Sequence, residues 1–363
     1  MYYYYRIAEI ILESELCLPS FSSFICSPAE ADVTLTRGGE FPPEGSFLYA
    51  GAIKVSKLPD GWLFQQGPGE GLGLMASQDY TKLSLIGSDA AIEALNLQIR
   101  ILLRTALECL MIRRGYVSLH AAAVEVNGKA YAFTGPSGMG KSTRAGAWQE
   151  AFGAELISGD RPLIKVDTME LFGAPWDGKE QCFRNVRYPL DKILEIRRAD
   201  TAHVRELSLE QRRRLLMRQT FVPMWDTETS ILQMKNMRKL AENAQILRAF
   251  SGPGPEDAKK IKDILKRQEW EKEEPDMKAK SGFTLRDVMG EYMLMPTGDN
   301  IGKYEGTIVM NDVAAFLWDK LQNPVSREDL LAAVMDEFDV EEAVAAKDLD
   351  VLLEKLKNYG VIE

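Results

Sequence analysis

The sequence predicts an α/β (α+β) protein, and three observations support this. Strand-like and helix-like segments alternate over residues 91–270, which is the pattern of a mixed α/β domain. Within that stretch a complete glycine loop, residues 135–142, stands between a short apolar strand and a helix. Residues 283–363 contain three short strands followed by three helices, which predicts a separate C-terminal domain.

Residues 1–90 are predicted to be a β-rich N-terminal region, either an entry domain or a flank of the core. Short apolar runs such as 32–36 and 61–64 are separated there by glycine and proline turns. The start of the chain lacks the basic lead of a signal peptide, and the most apolar helix, 99–112, carries charged residues. We therefore expect a cytoplasmic protein without a membrane partner.

Composition narrows the function classes further. The chain has 363 residues, enough for two or three domains, and a formal net charge of −10. That charge argues against nucleic acid as the partner. The four cysteines have no metal or redox spacing, and two histidines are too few for a histidine-rich metal site. Self-association into a homo-oligomer stays open.

The glycine loop reads Gly-Pro-Ser-Gly-Met-Gly-Lys-Ser and fits the phosphate-binding pattern. Its glycines let backbone N–H groups turn towards phosphate oxygens, and the following helix directs its positive dipole end there. Lys141 supplies charge for the outer phosphates, and Ser142 supplies a hydroxyl for Mg²⁺. We predict binding of ATP and Mg²⁺, with these residues at the nucleotide: Gly135, Ser137, Gly138, Met139, Gly140, Lys141, Ser142 and Thr143.

Three further residues are candidates for chemistry on that nucleotide. Asp160 ends the strand after the loop helix, so it could hold Mg²⁺ or accept a proton from an attacking hydroxyl. His120 ends a strand before the loop, where it would tune the proton affinity of Asp160. Lys179, in a polar turn, would stabilise charge during phosphoryl transfer. The alternatives are a turn aspartate, a core histidine and an exposed lysine.

The C-terminal segment follows a predicted linker at residues 271–282, which is dense in charge. Asn311 and Ser326 are the predicted N-caps of the first two helices. The third helix is predicted to end near Gly360. Its apolar residues recur at helical spacing: Ala345, Leu349, Leu352, Leu353 and Leu356.

His120, the glycine loop and the pair Asp160–Arg161 together resemble the HPr kinase/phosphorylase catalytic domain, over residues 115–265. The resemblance implies a P-loop kinase core of the phosphoenolpyruvate carboxykinase type. That family has two adjacent aspartates before the arginine, whereas Gly159 stands at the first of these positions here. This departure leaves open which acid would hold the metal and which would be the base.

Residues 283–363 resemble the PqqD family of small, winged-helix-like domains that recognise precursor peptides of ribosomally made natural products. Residues 306–318, Asp348 and the closing segment 356–362 carry the resemblance. It implies that a leader peptide adds as a strand beside the third strand and against the third helix. A DNA-binding winged helix is the alternative, and the acidic C-terminal helices argue against it.

The two resemblances together imply an ATP-dependent kinase that phosphorylates a Ser or Thr hydroxyl of a precursor peptide, similar to the HPr-kinase-like enzymes of lasso-peptide clusters. Tethering the two domains would raise the local concentration of the peptide. Two alternatives stay open. One is a kinase for a carrier protein such as HPr or for a small hydroxylated metabolite. The other is a nucleotide-gated peptide chaperone without catalysis, which Gly159 favours.

Overall fold

The chain divides into two compact units, Met1–Lys272 and Glu273–Glu363. The computed structural model describes the following residues: 1–39, 41–42, 46–50, 53–66, 72–88, 92, 96–176, 184–272, 276–288, 291–304, 308–338 and 340–363. One hydrophobic core runs from Tyr5 through the N-terminal strands to Trp176. That core includes residues before and after position 90, so the N-terminal region is a flank of the larger unit and not a domain of its own.

The N-terminal region is an eight-stranded sheet. Its strands are β1 (Tyr3–Ile7), β2 (Ile10–Ser14), β3 (Val33–Arg37), β4 (Ser46–Ala50), β5 (Lys54–Leu58), β6 (Gly61–Gln65), β7 (Leu72–Ser77) and β8 (Lys82–Gly87). Their order across the sheet is β1-β2-β3-β8-β7-β6-β5-β4. A 3-10 helix, Pro19–Phe24, follows β2, and helix α1, Asn96–Arg113, contacts β7.

A ten-stranded sheet forms the centre of the larger unit. Its strands are β9 (Tyr116–Ser118), β10 (Ala121–Val126), β11 (Lys129–Thr134), β12 (Glu155–Ser158), β13 (Leu163–Lys165), β14 (Glu170–Phe172), β15 (Arg187–Arg198), β16 (His203–Glu206), β17 (Ile246–Ser251) and β18 (Glu271–Lys272). β15 joins two parts of the sheet, because its first residues pair with β14 and its later residues run parallel to β11 and β17. β10 and β11 form a hairpin whose turn, Asn127–Gly128, has positive φ at both residues.

Four helices belong to the cores on the two faces of this sheet: α2 (Lys141–Phe152), α3 (Leu209–Gln219), α4 (Thr227–Asn243) and α5 (Pro255–Arg267). Alternate residues of β11 point to opposite faces. Ala130 and Ala132 share a core with α3 and α4, whereas Tyr131 and Phe133 share a core with α2 and α5. This burial on both faces accounts for the continuous apolar run along β11.

Lys262 of α5 is buried against aromatic rings in the second of these cores. Its ammonium lies 3.7 Å from the centre of the Tyr131 ring and 5.1 Å from that of Trp148. Burial lowers the pKa of Lys262 from 10.5 to about 8, although the carboxylate of Asp191 acts in the opposite direction. The folded protein therefore favours the neutral amine more than the unfolded chain does.

The free energy of unfolding should depend on pH through Lys262. Between pH 8 and pH 10.5 the unfolded chain binds this proton more tightly, so the free energy of unfolding should rise with pH over that range. Lys262→Met should remove that rise. Lys259→Met is the control, because Lys259 is half exposed on the same helix. Urea unfolding at several pH values measures both variants, and an unchanged slope in Lys262→Met would contradict the assignment.

The C-terminal unit is a three-stranded antiparallel sheet followed by three helices. The elements are β19 (Phe283–Val288), β20 (Glu291–Pro296), β21 (Ile308–Met310), α6 (Asp312–Lys320), α7 (Arg327–Glu337) and α8 (Glu342–Asn358). The sheet order is β19-β20-β21, so β21 lies at an edge. Asn311 and Ser326 accept hydrogen bonds from the first turns of α6 and α7, which are the caps that the sequence predicts.

The predicted linker at residues 271–282 differs from the structure. Met277 and Ala279 are buried in the core of the C-terminal unit, and their N–H groups donate to the carbonyls of Val325 and Leu321. Only alternate residues of this segment are buried, and charged residues stand at the positions between, so the sequence does not show that the segment belongs to a core.

None of the helices that the structure describes combines the length and the apolar composition of a membrane-spanning helix.

Candidate functional site

Strand directions bring the predicted site residues to one edge of the central sheet. β10 runs antiparallel to both β11 and β12, so its start lies beside their ends. His120 immediately precedes β10, the glycine loop follows β11, and Asp160 comes two residues after β12. The carboxyl ends of β15 and β17 lie at the same edge, because both run parallel to β11.

The glycine loop enters α2 in a conformation that glycine adopts easily. The φ angle is +147° at Gly135, +79° at Gly138 and +93° at Gly140. Gly140 is the N-cap of α2 and supplies no capping side chain, so the N–H groups of the first turn can receive an anion. Ser137, Gly138, Ser142 and Thr143 are exposed, and Met139 is half-buried beneath them. The loop is therefore open to a ligand from solvent.

Lys141 folds back over this loop. Its Nζ donates to the carbonyl oxygens of Gly135 at 3.1 Å and Pro136 at 3.2 Å. Burial lowers the pKa of Lys141, the carboxylate of Asp160 opposes that change, and the guanidinium of Arg161 adds to it. The ammonium, the carboxylate and the guanidinium therefore act on one another at the mouth of the loop.

His120 and Asp160 lie side by side. Nε2 of His120 is 3.8 Å from Oδ1 of Asp160, and the two side chains are 32% and 27% exposed. Among the described residues, Oδ1 of Asp160 has no hydrogen-bond partner, although that atom is buried. A buried carboxylate oxygen without a partner is costly, so it suits a ligand that supplies a proton or a positive charge.

The surroundings of His120 disfavour the charged form of its imidazole. Burial lowers its pKa, the cation of Lys141 lowers it further, and Asp160 partly offsets both effects. A pKa below the ordinary 6.5 leaves the ring uncharged at neutral pH. A neutral imidazole beside a carboxylate can orient that carboxylate and exchange a proton with it.

Two residues that the sequence analysis did not select hold His120 in place. The Thr134 hydroxyl donates to the carbonyl oxygen of His120 at 2.9 Å. The N–H of His120 donates to the carbonyl oxygen of Gln219 at 2.7 Å. Thr134 ends β11 and could have been noticed as a polar residue before the loop, but no local pattern marks Gln219, which ends α3.

Lys179 and Ser142 are the other two residues that the sequence predicts to take part in the chemistry. Lys179 lies outside the described residues, so its role stays a prediction. Ser142 begins the exposed part of α2, and its hydroxyl and Oδ1 of Asp160 are oxygen donors of the kind that Mg²⁺ prefers. Within the described ranges, no group of three or more His, Cys, Asp or Glu could hold a metal. The donor set fits Mg²⁺, which keeps few protein ligands and takes its other oxygens from phosphates and water.

The C-terminal unit offers an edge strand and an apolar groove. Val309 on the edge strand β21 is 62% exposed. A groove of about 330 Å³ lies between α6, α7 and α8. Its lining is mainly apolar with a few polar side chains, and includes Val313, Leu317, Phe338, Asp348, Val351 and Leu352. An exposed strand edge and an apolar groove are the two features that binding of an extended peptide requires.

Comparison with known proteins bears on this C-terminal unit. Residues 291–362 match the family model described as "Coenzyme PQQ synthesis protein D (PqqD)". The comparison with curated proteins gives no match. A solved structure described as "TbiB1 in Complex with the TbiA(beta) Leader Peptide" is 19% identical, with a TM-score of 0.21, over 24% of this chain and 94% of its own. The family match supports the predicted precursor-peptide partner, and the C-terminal unit of this protein is a PqqD-like domain.

Proposed function

We propose that this protein is an ATP-dependent kinase that phosphorylates a Ser or Thr hydroxyl of a ribosomally made precursor peptide. One observation carries the proposal: Lys141, His120 and Asp160 interact at the mouth of an open glycine loop. The same chain has a PqqD-like domain, whose family match supports a peptide as the partner.

In this proposal the loop binds the nucleotide. The N–H groups at the start of α2 and the ammonium of Lys141 would hold the outer phosphates of ATP. Lys141 now donates to two loop carbonyls, so it would exchange these neutral acceptors for charged phosphate oxygens. Mg²⁺, held by Ser142 and Asp160 when bound, would neutralise phosphate charge.

The phosphoryl transfer itself needs little from the protein beyond position and charge. The hydroxyl oxygen of the peptide forms a bond to the γ-phosphorus, and the bond between that phosphorus and the bridging oxygen breaks. ADP leaves with the electron pair of the broken bond. Asp160 would accept the hydroxyl proton or hold the metal, and Oδ1, which has no hydrogen-bond partner among the described residues, suits either role. His120 would keep that carboxylate in position.

The PqqD-like domain would capture the leader of the precursor. An extended leader segment would add to the edge strand β21 through backbone hydrogen bonds, and its apolar side chains would enter the groove beside α8. Because the two units share one chain, a captured leader raises the concentration of the acceptor hydroxyl around the kinase site.

The test is a mass measurement. The full-length protein is incubated with ATP, Mg²⁺ and a precursor peptide, sought among the short reading frames near its gene. One phosphoryl group should be added to the peptide, and replacing the acceptor Ser or Thr by Ala should abolish the addition. If the protein binds both ATP and the peptide and no mass is gained, the kinase proposal is wrong.

A second candidate function is a nucleotide-gated peptide chaperone. Gly159 stands where the resembling kinases have a further aspartate, so Asp160 has no adjacent acid before it in the sequence. A chaperone would show peptide affinity that changes with ATP, and it would transfer no phosphate. Calorimetry of peptide binding with and without ATP, done beside the mass measurement, separates the two functions.

A further inference from the structure

Arg161 has an unusual backbone conformation next to the proposed catalytic acid. Its φ angle is +41°, in the left-handed region that residues with a side chain seldom adopt. The indole Nε1 of the buried Trp176 donates to the carbonyl oxygen of Arg161 at 3.2 Å. The hydroxyl of Ser158 donates to the neighbouring carbonyl of Asp160. These contacts hold a turn that a glycine would form with less strain.

The guanidinium of Arg161 has a buried nitrogen, Nη1. Within the part of the chain that the structure describes, Nη1 is buried and has no hydrogen-bond partner. Buried polar atoms of folded proteins usually have partners, and an anion bound beside the glycine loop would supply one to Nη1. Nη1 of Arg161 is therefore a donor that has no acceptor among the described residues.

The charges around Arg161 indicate the sign of that ligand. The guanidinium is close enough to Lys141 and to His120 to lower the pKa of each. The cations of Arg161 and Lys141 thus lie near the carboxylate of Asp160 at the mouth of the loop. Like charges at short range repel, so an anion with several negative charges would relieve the repulsion.

We propose that Arg161 contacts the terminal phosphate of the bound nucleoside triphosphate and is a catalytic residue of this site. The planar guanidinium carries paired N–H donors that match two phosphate oxygens. Its charge would stabilise the negative charge that spreads over the phosphoryl group during transfer. This inference rests on the proposed nucleotide binding at residues 135–142. Arg161 would be a second cation at the phosphates, beside Lys141.

The experiment compares ATP with ADP in two variants of the full-length protein. Arg161→Gln removes the charge, and Arg161→Gly also removes the strain at φ +41°. Calorimetry should show ATP affinity lowered roughly 10- to 100-fold in both variants, and ADP affinity changed by less than about threefold. The Tm of Arg161→Gly should not fall below that of the natural protein. Arg238→Gln, an exposed arginine of α4, is the control and should bind both nucleotides normally.

Each outcome bears on a distinct claim. ATP affinity that is unchanged, or that falls equally for ADP, would overturn the assignment of Arg161 while leaving the kinase proposal in place. A loss of Tm in both variants without a selective loss of ATP would make the guanidinium structural. Selective loss of ATP in a protein that transfers no phosphate to the peptide would support Arg161 and contradict the kinase. A natural protein that binds neither nucleotide would overturn both.

Discussion

Asp160→Asn should lower the kcat of peptide phosphorylation about 100- to 10,000-fold, with ATP affinity changed far less. An amide of nearly the same shape can neither accept the hydroxyl proton nor supply a negative charge to Mg²⁺. Steady-state kinetics with the precursor peptide gives kcat, and calorimetry gives the dissociation constant of ATP. Near-natural kcat in this variant would show that Asp160 is not the base and not an essential metal ligand.

The stability of Asp160→Asn separates a catalytic role from a structural one. Oδ1 is buried without a hydrogen-bond partner among the described residues, so removing its charge relieves a desolvation cost. It also removes the attraction between Asp160 and the ammonium of Lys141, so the free energy of unfolding should change little. Asp167→Asn is the matched control, since Asp167 is 57% exposed and pairs with Lys239. That control should keep full kcat. A large loss of stability in Asp160→Asn alone would indicate that the carboxylate supports the turn and not the chemistry.

Val351→Asp should raise the KM for the precursor peptide roughly tenfold or more, with kcat at saturating peptide unchanged. Val351 lines the groove of the PqqD-like domain, and an aspartate there would place a charge where apolar side chains of the leader should bind. Because the groove belongs to the C-terminal unit, the chemistry at the glycine loop should be untouched. Initial rates over a range of peptide concentrations give the two constants separately.

Val344→Asp is the matched control for the groove. Val344 and Val351 are 48% and 47% exposed, and both belong to α8. Val344 is not among the residues that line the groove, and an acid in the first turn of a helix is favourable. If the two substitutions raised the KM for the peptide equally, the leader would not bind in this groove. An unaffected KM in Val351→Asp, with rapid phosphorylation of a free carrier protein or metabolite, would favour the alternative kinase substrates.

Much of the local structure could be predicted from the sequence. The strand, glycine loop and helix around residues 129–152 follow from the loop pattern and the apolar run before it. The hairpin turn at Asn127–Gly128 and the caps at Ser208, Asn311 and Ser326 were also predictable. Each of these features depends on residues within a few positions of one another, so side-chain chemistry at one place decides it.

The predicted linker shows where local reasoning fails. The segment 276–280 has a charged residue at every second position, yet Met277 and Ala279 are buried. Their burial depends on backbone hydrogen bonds to Val325 and Leu321, more than forty residues away. No window of sequence around residue 277 contains that information.

The sequence by itself determined the glycine loop between β11 and α2, the candidate acid after the next strand and the presence of a PqqD-like domain at residues 291–362. Only the tertiary structure decided that His120 lies 3.8 Å from Asp160, that Gln219 and Thr134 hold the histidine, and that Arg161 joins Lys141 at the loop. The physical reason is that those contacts join residues far apart in the chain. They depend on strand order and direction in the central sheet, which no local pattern of residues encodes.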